Sequence, residues 1–194
     1  MSKLLDAFIP KADVRERHES IICAPSSVVF DVAEHFDLQS IPLVRLIFWL
    51  RAKSLGVRYR RMGKELVKAT SEMGWGRLSY IPGRELVMGA VTQPWLGEVK
   101  FRSVPPDDFA AFDEPDLVKI AWTLEAEPLC VELTRFVTET RVQATDDRAR
   151  AKFRSYWGKF GIGIVVIRWL LVRAVKREAE RRHNAASMSY SMTR

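Results

Sequence analysis

The stretch from Asp146 to Arg182 constrains this chain more than any other. Phe153, Trp157, Phe160, Ile164, Ile167, Leu171 and Val175 recur at steps of three and four residues, one apolar stripe over about six helical turns. A helix of that length with one committed face needs a broad apolar surface to lie on. Its middle, "FGIGIVVIRWLLVRAVKR", is apolar beyond the stripe, yet a membrane span takes about 18 to 20 apolar residues in a row. Here the uncharged run between Lys159 and Arg168 has eight. The stretch is therefore expected to close a folded domain rather than to cross a bilayer.

Residues 64 to 144 supply the surface. "ELVKATSE", "GWGRLSYI", "RELVMGAV", "GEVKFRSV", "LVKIAWTLEA" and "CVELTRFVTETRVQA" are short β-branched and aromatic runs divided by Gly and Pro. They read as an antiparallel meander. Alternation places Leu78 with Tyr80, Val99 with Phe101, and Val118, Ile120, Trp122 and Leu124 on shared faces, with polar residues between them. One sheet face is thus expected to be wet and the other covered by the long helix. "PPDDFAAFDEP" interrupts the meander as a capped turn or ordered loop. Ahead of it, "RHESIIC" reads as a strand, "APSSVVFDVAEHFD" as a short helix after Pro25, and "IPLVRLIFWLRAKSLG" as a second helix from Pro42 to near Gly56. The fold class is α+β.

Charge is unevenly placed. The net charge is +7, with 12 Lys/Arg against 4 Asp/Glu from Asp146 onward. A second cluster, Arg51, Lys53, Arg58, Arg60, Arg61, Lys64 and Lys68, is relieved by Glu65 alone. Such clusters are solvated faces or attract anionic partners. No interleaving of bases with exposed aromatics indicates nucleic acid. Cys23 and Cys130 show no metal or disulfide pattern and are expected to be free, half-buried thiols. His18, His35 and His183 lack metal spacing, and no phosphate-cradling glycine loop or nucleophile elbow occurs. No metal or cofactor is expected. The N-terminus has no apolar core of signal-peptide length, so a cytoplasmic location is expected.

The opening "HESIICAPSSVVFDVAEHFD" and the closing "LTRFVTETRVQATDDRARAKFRSYWGKFGIGIVVIRWLLVRAVKREAE" resemble the START/Bet v 1-like superfamily, also called SRPBCC or polyketide cyclase-like. The first is close to its "APxxxVxxxxxDFD" pattern and the second to its "TRLxxxxxV" strand, over residues 17 to 182. The resemblance implies a helix-grip fold: a curved antiparallel sheet around a long C-terminal helix, two short helices after the first strand, and a cavity between sheet and helix. Residues 1–16 then form an N-terminal extension and 183–194 a loose tail. Members bind sterols, phospholipids, polyketides or plant hormones, and a minority are cyclases, aromatases or dehydratases.

On that basis the expected activity is binding of a hydrophobic small molecule or lipid. Leu78, Tyr80, Met88, Phe101, Ile120, Trp122, Phe160 and Ile164 form the expected wall, and Arg168 is the polar anchor, if it turns inward, for a ligand carboxylate or for Glu139. The catalytic members' Arg/Tyr/His set finds no match here, which favours binding over catalysis. The alternative is a cyclase- or dehydratase-like enzyme in which His18, Tyr80 or Arg168 polarises a carbonyl. A third reading uses the outer patch of Val165, Val166, Trp169 and Leu170 with the "LIFWLR" helix for self-association or a membrane surface. The segment "LLDAFIP" is a further candidate to cover that patch.

Overall fold

A computed structural model describes residues 3–192 except 60 and 62. It contains α1 (Lys3–Phe8), β1 (Val14–Ile22), α2 (Ser26–Glu34), α3 (Pro42–Ser54), α4 (Leu66–Glu72), β2 (Gly76–Ile81) and β3 (Glu85–Thr92). After these come α5 (Pro106–Phe109), β4 (Val118–Cys130), β5 (Leu133–Ala144) and α6 (Asp147–Met192). The strands form one open antiparallel sheet in the order β1-β5-β4-β3-β2. This is a helix grip, with α6 laid against one face of the sheet. The first strand travels to the far edge because it pairs with β5, which leaves β1 and β2 at opposite edges.

The inner face, towards α6, carries the even-numbered residues of β4, β5 and β1. Trp122, Leu124, Ala126 and Phe136 pack with Ile167, Leu171 and Val175 of α6 and with Val29, Phe30 and Ala33 of α2. A second inner cluster joins Val118, Val142 and Ala144 to Phe153 and Tyr156 at the start of α6. The apolar stripe thus covers the sheet as its spacing predicts, and α2 and α3 begin and end near the expected residues.

The outer face is not wet. Leu5 and Ile9 from α1 and its following turn are buried with Leu78, Val87, Val91, Phe109 and Ala121 in a separate core. This settles where "LLDAFIP" goes: it covers the back of the sheet and leaves the patch around Trp169 alone. Asp6 anchors it by pairing with Arg141 Nη1 at 2.6 Å, and the same nitrogen donates to the Ile9 carbonyl at 2.9 Å. The charges fully buried on this face are paired in place, whereas Glu85 Oε1, Glu125 Oε1 and Gln143 Oε1 are enclosed there without a hydrogen bond among the described residues. Lys119 Nζ donates to the Ala110 carbonyl at 2.8 Å, and the wholly buried Glu139 accepts from Arg15 and Arg141, both at 2.7 Å. The odd-numbered positions look polar in sequence yet lie under a lid.

Other expectations change. "ELVKATSE" is helix α4, because Leu66, Val67, Ala69 and Thr70 bury one helical face and Thr70 bonds back to the carbonyls of Leu66 and Val67. "GEVKFRSV" is not a strand; it contributes a single bridge, Val91 to Arg102, beyond the point where β2 begins opposite Gly89. α6 continues through residues 183–192, expected as tail. Cys23 and Cys130 are free, as expected, but exposed. Gly163 admits α3: a Cβ there would sit 2.9 Å from Ile47 Cγ2. With Arg51 Nε donating to Tyr156 Oη at 3.0 Å, α3 runs antiparallel along the first half of α6.

Candidate functional site

Between the two inner clusters the lining changes character. Ile120 on β4, Phe160, Ile164 and Arg168 on α6, Trp75 before β2, and Ile47 and Phe48 on α3 all point into this zone or flank it, and all keep partial accessibility. A hollow of about 950 Å³ lies next to this zone, where His18 and Ile41 meet Trp169, Leu170, Val172 and Arg173. Trp122 forms the floor, with its ring 6.3 Å from that of Trp75, which in turn lies 5.0 Å from that of Phe101. Both walls are apolar, as in most small-molecule sites.

Arg168 turns inward over this floor. Its guanidinium carbon sits 5.3 Å from the centre of the Trp122 ring, and Nη1 donates to Thr138 Oγ1 at 2.9 Å. Thr138 can only accept that bond, because its own proton goes to the Thr123 carbonyl at 2.8 Å. The residue as a whole is half-buried, but its head lies inside the fold, where burial pulls the guanidinium down to about 10. It remains charged at neutral pH. Glu139, a partner considered from the sequence, lies on the opposite face of β5 and is held by Arg15 and Arg141. Among the described residues no carboxylate pairs with Arg168.

Other polar groups surround the same floor without partners. His18 lies directly opposite Thr138 in the β1–β5 pairing, and Thr140 lies opposite Trp122 in the β4–β5 pairing. His18 Nε2, Thr140 Oγ1 and Trp75 Nε1 are buried and make no hydrogen bond among the described residues. Burial, aided by the nearby Arg168 charge and opposed by Glu16, lowers the His18 pKa below its ordinary value, so the imidazole is neutral at pH 7. Trp75 flanks Trp122 from the β2 side of the sheet and His18 lies towards the β1 edge, so Arg168 and the orphaned atoms are arranged around the Trp122 ring.

The expected wall residues divide accordingly. Ile120 and Phe160 pack on the second inner cluster, Trp122 belongs to the first with Arg168 over its ring, Ile164 is half-buried on α6, and Phe101 meets Trp75. Met88 is fully buried in the inner core beside it. Tyr80 faces inward on edge strand β2, where its hydroxyl reaches Glu34 Oε2 at 3.4 Å and Arg77 lies 4.6 Å over its ring. Leu78 is on the other side of the sheet. A bulge between Arg77 and Ser79 breaks the alternation, sending Leu78 into the outer core with Val87 and Phe109. Trp75, Thr138 and Thr140 were not anticipated. The pairing of Thr138 and Thr140 with β1 and β4 was not readable from one strand's alternation.

No protein-family model matches the chain. Nor does any curated protein. Among solved structures, similarity is found to the ZhuI aromatase/cyclase from Streptomyces sp. R1128, at 14% identity and TM-score 0.29, over 87% of this chain and 94% of that one. A Chromobacterium violaceum protein is similar at 15% identity and TM-score 0.35, over 84% and 96% of the two chains. Among the described residues no helix is long and apolar enough to cross a membrane.

Proposed function

We propose that the chain binds a hydrophobic small molecule carrying an acid group, with its apolar body between Trp122, Ile164 and Phe160 and its anion on Arg168. The observation that carries this reading is the enclosed guanidinium without a carboxylate. A buried charge is costly unless paired, and a residue retained in that condition gains its counter-charge from something outside the chain. Its planar fork suits a carboxylate, and the face of Trp122 holds it in plane. His18 Nε2 and Thr140 Oγ1 supply further polar contacts at the same end.

The test pairs cis-parinaric acid with its methyl ester as fluorescent probes. Wild type is expected to prefer the acid, and Arg168→Met to bind acid and ester alike. The lost acid affinity should be roughly 30-fold or more, corresponding to the ~2–5 kcal/mol typical of truncating one side of a buried charge pair. Arg168→Met should also unfold at a temperature equal to or above wild type without ligand, because it removes an unpaired buried charge. Equal affinity of wild type for acid and ester would remove Arg168 as the anchor.

A second reading is favoured by the orphaned imidazole beside a cation: His18 takes the proton α to one carbonyl, and the resulting enolate carbon bonds to a second carbonyl polarised by Arg168. The new alkoxide takes up that proton, and the β-hydroxy ketone then loses its hydroxyl and a remaining α-proton as water. It draws on His18 and Arg168 and not on Tyr80, which stands on the opposite edge strand. Incubation with a linear poly-β-ketone would show loss of one water by mass spectrometry in wild type and not in His18→Ala; no loss in either rules it out.

A further inference from the structure

Helix α3 is apolar on both sides. Its inner face, Val44, Ile47, Phe48 and Ala52, meets α6 and the core. Its outer arc carries Leu43, Leu46, Trp49 and Leu50, each between 43% and 48% exposed. Beside it on α6, Ile162 and Trp169 lie seven residues apart on one outer face and are 79% and 47% exposed. Single exposed apolar residues are ordinary, but six on two adjacent helices form a patch with a purpose.

The charge around the patch says what covers it. Between Asp37 and Glu65 there is no acid and there are seven Lys/Arg; between Asp147 and Glu178 there is no acid and there are nine, of which Arg168 turns inward and Arg150, Lys152 and Lys176 pair with acids. Arg45, Arg58, Arg61, Lys64, Arg154 and Lys159 have no acidic partner among the described residues. Two cations lie on the patch's own tryptophans, Lys53 Nζ at 5.1 Å from the Trp49 ring and the Arg173 guanidinium at 4.5 Å from that of Trp169. Tryptophans and leucines on the outer surface, with long basic side chains that can lift their heads away, match a water–lipid boundary. A second copy fits poorly, because a two-fold contact would press one predominantly basic rim against another.

We infer that the outer face of α3, with Trp169 and Ile162 of α6, docks on an anionic membrane surface. Each basic residue held near such a surface adds about 1 kcal/mol, and the leucines and tryptophans add apolar insertion. The inference does not depend on what occupies the zone over Trp122.

Co-sedimentation of the full chain with vesicles tests it, comparing phosphatidylcholine alone with phosphatidylcholine containing phosphatidylserine. Wild type should pellet with the anionic vesicles at least tenfold more strongly, lose most of that binding at high salt, and shift its tryptophan emission to the blue. The double variant Leu46→Glu, Leu50→Glu, whose positions are exposed, should lose roughly tenfold or more of the partitioning with unchanged circular dichroism. Trp49→Ala, a milder change, should lose part of it. Sedimentation velocity should give a monomer in wild type and both variants. Failure of wild type to bind anionic vesicles overturns the inference, and so does binding that the double variant retains. A stable wild-type dimer that the double variant dissociates also overturns it, by assigning the patch to a second copy.

Discussion

Replacing Glu139 by Ala is expected to cost about 3–5 kcal/mol of folding stability, because it removes the wholly buried carboxylate shared by Arg15 and Arg141 and leaves the buried Arg141 guanidinium with one of its two carboxylate partners. The carboxylate of Glu139 is wholly buried, and Arg141 keeps only 3% of its side chain exposed. Arg15 grips Glu139 from β1 with Nε at 2.7 Å and Nη2 at 3.1 Å. Arg141 holds it from the same strand and reaches on to Asp6 and Ile9. The cluster thereby joins β1, β5 and the α1 lid. Urea unfolding should show the loss as a lower midpoint at unchanged slope. The pH dependence carries the same signature. Burial by itself raises the Glu139 carboxyl, but hydrogen bonds from Arg15 and Arg141 outweigh it and hold the group below the usual carboxylate range. Its stabilisation is therefore complete above the ordinary glutamate pKa and is lost as pH falls through the lowered folded value. Glu139→Gln should flatten that acid limb, and an unchanged slope between about pH 5 and pH 2 would show that the carboxylate is not coupled to folding.

Gly74→Ala is expected to cost roughly 2–6 kcal/mol, from left-handed backbone strain of ~1–3 and overpacking of ~1–3. Gly74 has φ 101°, and a Cβ there would sit 2.3 Å from the backbone oxygen of Phe101. Backbone cannot rotate aside as a side chain can, so the chain at Phe101 must move. That movement separates the Phe101 and Trp75 rings and with them one wall of the zone over Trp122. The variant should therefore lose probe binding even where it remains folded, without any change at Arg168. Retained stability and retained probe affinity together would mean that the 101–103 segment shifts freely and does not shape the site.

Two neighbouring residues of α6 behave differently because their surroundings differ. Arg168 is one helical turn from Ile164 and lies at the border of the α6 stripe, where a long side chain turns inward or snorkels outward with equal ease in sequence. What decides it is Thr138, presented by β5 with its hydroxyl proton already committed to Thr123. Trp169, the next residue, points away from the sheet and keeps Arg173 on its ring. One step along a helix separates a group directed into the fold from one directed out of it.

Local patterning determined the α6 stripe, the two helices after β1, the strands β2 to β5 and the inward face of β4. Each of these depends on spacing within one element, which a linear sequence carries in full. Tertiary structure alone decided the rest. The lid of α1 made the outer face a second core, although β3, "ELVMGAVT", is a continuous apolar run of the kind buried on both sides. A single bulge moved Leu78 across the sheet, and α4 took the helical face of a segment whose apolar residues suited a strand as well. The polar site was legible only in part, as Arg168 and His18. Its geometry arises from register between β1, β5 and β4, and register is a relation between strands far apart in the chain.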